Sequence, residues 1–163
     1  MTFVCNAGPV IALAKIDRLA LLQDLSNLVV IPETVFYEVL AKPGPDASRI
    51  LEASRDFLNV RNPPEILDPS VQFATRHLDA GERAVIALAS TMPNPVTVVL
   101  DDAAGRRVAT HLGLPLLGFV GLLLVAKQRK CISAVMPLLE QARHQGYWLS
   151  DPLLEIARSL AQE

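Results

Sequence analysis

The sequence is poor in the residues on which disulfide-bonded and zinc-bound domains depend. It has only two cysteines, Cys5 and Cys131, and three histidines. No CxxC pair or cysteine–histidine spacing surrounds the cysteines, which excludes a zinc framework and predicts reduced thiols in the core or at an edge. The histidines are expected at the surface or at helix ends rather than in catalysis.

A strong charge of either sign is also missing. The 15 lysines and arginines nearly balance 17 acidic residues, and aromatic residues make up 5% of the chain. No global positive field attracts nucleic acid, so RNA or DNA binding would need a local basic patch or bound cations. The hydrophobic fraction of 51% is high for a lone monomer and predicts an oligomer interface.

No hydrophobic run is long enough for a membrane helix. The most apolar segment, 112–126, is shorter than the ~20 residues that a bilayer requires, and glycines and a proline interrupt it. We expect a strand and then a buried helix there, in a soluble cytoplasmic protein without a signal peptide. The motifs of serine hydrolases, zinc peptidases and nucleotide-binding enzymes are absent, which leaves these classes least favoured.

Short apolar runs alternate with longer segments of helical spacing. Continuous apolar strands separated by helices predict a mostly parallel sheet covered on both faces, in one domain spanning residues 1–163. Helix signals agree, since Gly8-Pro9 opens one helix and Asp79 is placed to cap another over 81–91. The expected strands are Thr2–Cys5, Leu28–Ile31, Phe57–Val60, Val96–Leu100 and Leu114–Leu117.

Polar residues directly follow two of the expected strands. Asn6 follows the first, and Asp101 and Asp102 follow the fourth. Parallel strands bring such residues to the same edge of the sheet, where ligands bind in α/β folds. One of the two aspartates is explained as a helix N-cap, while the second needs a cation, an arginine or open solvent.

Two glutamates on predicted helices have competing interpretations. Glu82 has capping-box spacing from Asp79, yet it also lies on the buried stripe of its own helix, where a charge must be paired or bound to metal. Gly81 beside it leaves room for another group to approach. Glu38 borders an apolar helix face, where sequence geometry alone indicates a solvated flank.

Several segments resemble the PIN-domain superfamily, in particular its VapC-like branch of bacterial and archaeal proteins. The similarity extends over nearly the whole chain, and its most specific pieces are Asp-Ala-Gly-Glu at 79–82 and Leu-Asp-Asp at 100–102 with Gly-Arg-Arg at 105–107. The other segments that carry it are Asn6–Lys15, Ile31-Pro32 with Glu38-Val39, Gly118–Leu123 and Gly146–Ser150.

The resemblance implies a three-layer α/β/α fold and a metal-dependent ribonuclease, often a toxin neutralised by a small antitoxin. It places Asn6, Glu38, Glu82 and Asp102 as ligands of Mg²⁺ or Mn²⁺, and Glu38, Glu82, Asp101 and Asp102 as the catalytic acids. Which of the two aspartates is the ligand stays open. Asn6 stands where the family usually has an aspartate, so the pocket loses a negative charge. The alternative is therefore a weak or silent module that binds RNA or protein.

Basic residues offer a local patch for RNA. Arg106, Arg107 and Lys127 are the candidates, and an ordinary solvated helix face explains them equally well. The C-terminal helices expected over 134–163 pack either on the domain or on a partner. Their amphipathic pattern fits a homodimer or higher oligomer, or an antitoxin interface.

Overall fold

A five-stranded parallel sheet forms the centre of the protein in a computed structural model that describes residues 1–163. The order across the sheet is β3-β2-β1-β4-β5, and every neighbouring pair is parallel. The strands are β1 (Thr2–Cys5), β2 (Leu28–Pro32), β3 (Leu58–Arg61), β4 (Val96–Val99) and β5 (Leu116–Leu117).

Ten helices complete a three-layer α/β/α sandwich, which confirms the predicted fold class. They are α1 (Ala7–Lys15), α2 (Leu21–Leu25), α3 (Glu33–Leu40), α4 (Pro45–Ala53), α5 (Pro69–Thr75), α6 (Ala80–Thr91), α7 (Ala103–His111), α8 (Phe119–Gln128), α9 (Met136–His144) and α10 (Asp151–Ala161). None of them combines the length and the apolar character needed to cross a bilayer.

Two strands begin later than the apolar runs predicted, and helix ends explain both shifts. The N–H of Phe57 still donates to the Ala53 carbonyl as α4 closes. The N–H of Leu114 likewise donates to the Ala109 carbonyl at the end of α7, and Pro115 has no N–H to give. The observed strands therefore start at Leu58 and Leu116.

The core lies on both faces of the sheet and includes β1 almost entirely. Phe3, Val4 and Cys5 are fully buried, and burial raises the pKa of the Cys5 thiol far above its usual range. Cys131, by contrast, is exposed, and both thiols are free.

The strand order creates a crevice between β1 and β4. The chain moves from β1 to β2 and β3 on one side, and from β4 to β5 on the other. Cys5 pairs with Val99 in register, so the residues after these two strands emerge side by side. Such a reversal of strand order at the carboxyl edge is where α/β sheets bind their ligands.

Residues 134–163 pack against the rest of the domain. Helix α10 lies on α8 and α9. The Glu163 carboxylate accepts hydrogen bonds from the backbone N–H groups of Val135 and Met136, at 2.7 and 2.9 Å. Lys127 donates to the same carboxylate at 2.7 Å, and this contact lowers the pKa of Glu163 to about 2.

Candidate active site at the β1–β4 edge

Asn6 occupies the point where β1 meets the crevice. Its backbone N–H donates to the Val99 carbonyl at 2.9 Å, which continues the ladder between β1 and β4. Asn6 is the N-cap residue of α1, but its side chain makes no capping hydrogen bond. The amide is therefore available for other partners at the carboxyl edge.

Glu82 is the buried acid of the site. The Asp79 carboxylate accepts a hydrogen bond from the Glu82 backbone N–H at 2.8 Å, and this cap starts α6. The Glu82 residue is only 7% exposed. Burial, then hydrogen bonding with the Asp102 carboxyl, then the charges of Asp79 and Asp102 raise the pKa of Glu82 to about 7. A smaller opposing effect on this pKa comes from the Asp79 backbone N–H, so Glu82 lies in the capped first turn of α6 and also faces a second carboxyl group.

Asp102 is that second carboxyl group. One of its oxygens accepts hydrogen bonds from the backbone N–H groups of Ala104 and Gly105, at 2.7 and 3.1 Å, and so caps α7. The bond from Gly105 is the main cause that lowers the pKa of Asp102, with Glu82, Ala104 and Arg107 assisting against desolvation. The contact between Glu82 and Asp102 thus raises the pKa of Glu82 and helps to lower that of Asp102, so Glu82 is the acid of the pair that binds a proton first as pH falls.

Asp101 points to a different set of partners. Its carboxylate accepts from the Phe119 backbone N–H at 2.9 Å and from the Tyr147 hydroxyl at 2.6 Å. Gly118 is required here, because a Cβ at that position would collide with the Asp101 carboxylate. Of the two adjacent aspartates, the structure therefore brings only Asp102 to Glu82.

Tyr147 is a site residue that was not predicted from the sequence. Its ring packs edge-on against Phe119, with centroids 5.4 Å apart, while its hydroxyl reaches Asp101. Asp101 and Tyr147 are 46 residues apart in sequence. No local pattern indicates such a contact.

Glu38 and Asn6 meet beside Gly81. A Cβ built on Gly81 would lie 3.0 Å from Glu38 Oε2 and 3.5 Å from Asn6 Oδ1. Glycine at the start of α6 thus lets both oxygens approach the residue next to Glu82, as the sequence predicted. The exposed Glu38 carboxylate takes part in none of the five salt bridges of the protein.

The arrangement is a partly assembled oxygen site. No three His, Cys, Asp or Glu side chains lie close enough together to hold a metal ion. Glu82 and Asp102 face each other. The Glu38 carboxylate and the Asn6 amide lie together beside Gly81, the residue before Glu82. Oxygen donors of this kind suit hard divalent cations rather than zinc.

The three predicted RNA-binding residues have different surroundings. Arg106 donates to the Leu100 carbonyl at 3.0 Å, and Arg107 is near enough to Asp102 to lower its pKa. Together they border a surface depression of about 380 Å³ with Thr110 and Leu116. Lys127, in the last turn of α8, instead binds the Ala161 carbonyl and Glu163, both at 2.7 Å.

The fold and this edge define an α/β protein whose acidic side chains converge where the strand order reverses. A sequence profile described as a PIN domain matches residues 2–163. The chain belongs to the PIN-domain family. No curated protein and no solved structure matched it.

Proposed function

We propose that the protein is a metal-dependent ribonuclease that cleaves single-stranded RNA at the β1–β4 edge. The observation that carries the proposal is the contact between Glu82 and Asp102. Glu82 is a buried carboxyl group placed against another acid, an arrangement that costs folding free energy. Acids with such perturbed pKa values are concentrated at functional sites. The nuclease character of the PIN-domain family supports the same conclusion.

The oxygen atoms of these side chains are the type of ligand that Mg²⁺ and Mn²⁺ prefer. Asp102, Glu82, Glu38 and Asn6 would hold the cation, with water filling the remaining positions. A bound cation of this type supplies a water of lowered pKa and stabilises charge on the phosphodiester. Asp102 already carries its charge, whereas Glu82 must release the proton that its raised pKa retains, so metal binding and deprotonation of Glu82 are coupled.

The remaining residues position the substrate. Asn6 contributes a neutral carbonyl oxygen, which orients a ligand without adding charge. Arg106 and Arg107 form no salt bridge, and Arg107 lies near enough to Asp102 to lower its pKa, so both bind phosphate in this proposal. Lys127 is left out of the proposed RNA surface because its ammonium group ties α8 to Glu163.

Metal binding and cleavage test the proposal separately. We expect Mn²⁺ titration calorimetry to show binding with proton release near pH 7, and a labelled single-stranded RNA to be cut only with metal present. Asp102→Asn and Glu82→Gln should abolish both, whereas Glu155→Gln, an exposed residue of α10, should change neither. Cleavage that persists in EDTA would rule out the mechanism.

A second candidate function is a catalytically silent module that binds RNA or a partner protein. The absence of any three-acid cluster and the neutral Asn6 favour it. The variant Asn6→Asp distinguishes the two functions. If Asn6 only weakens the pocket, this variant should bind metal more tightly and cleave RNA faster. If the protein is a non-catalytic binding module, the variant should still show no cleavage.

We further propose that the protein assembles through its C-terminal region, with a second copy or with an antitoxin. Trp148, Ile156 and Leu160 are 82%, 57% and 65% exposed. Ile156 and Leu160 stand one helical turn apart on α10, so they share a face. Sedimentation velocity over a range of concentrations tests self-association. A monomer at every concentration would contradict the dimer. The surface would then be the binding site for an antitoxin, as expected if the protein is the toxin of a cytoplasmic toxin–antitoxin pair.

A further inference from the structure

A basic and aromatic cluster lies on the surface where α5 turns into α6. We call it the Phe73 cluster and define it as Phe73, Arg76, His77 and Arg83. The guanidinium carbon of Arg76 lies 3.8 Å from the centroid of the Phe73 ring. Arg76 Nε donates to His77 Nε2 at 2.9 Å, and Arg83 donates to the Arg76 carbonyl at 2.9 Å.

Arg83 caps the end of α5 through the Thr75 and Arg76 carbonyls, but protein stability does not explain the Phe73–Arg76 pair. Phe73 is 64% exposed, so its ring buries little surface, and an exposed cation–π pair adds little to the free energy of folding. Neither arginine takes part in any of the five salt bridges. Only one of the five N–H donors of Arg76 has a partner within the protein, which leaves the others free for a ligand.

The cluster adjoins the candidate active site. Arg83 directly follows Glu82 in the first turns of α6, and its guanidinium also donates to the Thr75 carbonyl at 3.4 Å. One side chain thus connects the end of α5 with the helix that carries the buried acid. In the proposed function, RNA bound at Glu82 would lie near the start of α6, where Arg83 is held.

We propose that the Phe73 cluster is a subsite for single-stranded RNA. A nucleobase stacks on the Phe73–Arg76 pair, and Arg76 and Arg83 contact the adjoining phosphates. Positive charge without a carboxylate partner, combined with an exposed ring, is the chemistry that recognises an unpaired nucleotide, because bases in a duplex are already stacked on each other. The inference rests on the proposed function and adds how the substrate is held.

Tryptophan fluorescence tests the stacking directly, because Trp148 is the one tryptophan of the chain. In the double variant Phe73→Trp, Trp148→Phe, the only indole stands in the Phe73 cluster. Titration with a single-stranded oligoribonucleotide, in EDTA and again with Mn²⁺, should quench this indole as binding saturates. The unaltered protein, which reports only from Trp148, is the control.

Affinity and salt dependence provide the second measurement. Phe73→Ala should weaken binding at least about fivefold, and Phe73→Tyr should restore it. Arg76→Gln should weaken binding and reduce the slope of log affinity against log salt by about 0.7, the value for one phosphate contact on a single strand. Arg55→Gln, an exposed arginine near the start of β3 at the opposite edge, should change neither quantity. In cleavage, Phe73→Ala should raise KM and leave kcat unchanged.

The outcomes separate the subsite from the function. If the unaltered protein binds no RNA in either buffer, the proposed function fails and the subsite fails with it. If it binds RNA while the indole is not quenched and Phe73→Ala binds normally, only the subsite is refuted. Equal affinity for duplex and single strand, or capture of a protein partner by this surface in place of RNA, would also overturn it.

Discussion

Replacement of Glu82 by glutamine should make the metal-free protein more stable at alkaline pH. The pKa of Glu82 is raised in the folded state from 4.5 to about 7, so the folded protein holds this proton more tightly than the unfolded chain does. The resulting stabilisation is fully present below pH 4.5 and is lost as pH rises through 7. Glutamine stays neutral throughout and keeps the size of the side chain.

The size of the effect follows from the shift in pKa. At ~1.36 kcal/mol per unit, the unaltered protein should lose up to about 3 kcal/mol of unfolding free energy between pH 4.5 and 8 through this one group. Glu82→Gln should keep this unfolding free energy, because glutamine does not ionise. For a chain of this length the difference corresponds to a melting temperature about 6–12 °C higher at pH 8, and to almost none at pH 4.5. The lowered pKa of Asp102 acts below pH 4 and leaves this window undisturbed.

Urea unfolding followed by circular dichroism is the suitable assay, because Trp148 is 82% exposed and reports poorly on unfolding. The measurement is made in EDTA at pH 5, 6, 7 and 8 on the unaltered protein, Glu82→Gln and the surface control Glu155→Gln. The difference between the first two should grow with pH, and Glu155→Gln should follow the unaltered protein. A Glu82→Gln variant no more stable than the unaltered protein at pH 8 would refute the buried, proton-holding role of Glu82.

Three further substitutions test the site and its support. Asn6→Asp should raise Mn²⁺ affinity about tenfold by adding a charged ligand, as calorimetry would show, and unchanged affinity would remove Asn6 from the site. Gly81→Ala should raise the melting temperature slightly through helix propensity yet weaken Mn²⁺ binding, because its Cβ would lie 3.0 Å from Glu38 Oε2. Tyr147→Phe should cost about 1–2 kcal/mol in urea unfolding, since it removes the 2.6 Å hydrogen bond to Asp101 and keeps the ring packing, and an unchanged midpoint would contradict that contact.

Much of the site was predictable because its residues carry local signals. Asp79 and Glu82 have capping spacing, and the structure contains that cap. Asp101 and Asp102 were predicted at the carboxyl end of a strand and lie just beyond β4, separated from it by Leu100. The sequence did not separate the two aspartates, since their divergence depends on Phe119 and Tyr147, which distant parts of the chain supply.

Local patterns in the sequence were enough to predict the five strands and several of the helices. Apolar strands, prolines and caps are read within a few residues, so the alternation of strands and helices and the PIN-domain resemblance were visible at once. How these elements pack together is seen only in the three-dimensional structure. It placed β1 beside β4, set Glu82 against Asp102, and stacked Arg76 on an exposed Phe73. The physical reason is that such pairings are selected by packing across the whole domain, and no short stretch of sequence contains both partners and the space between them.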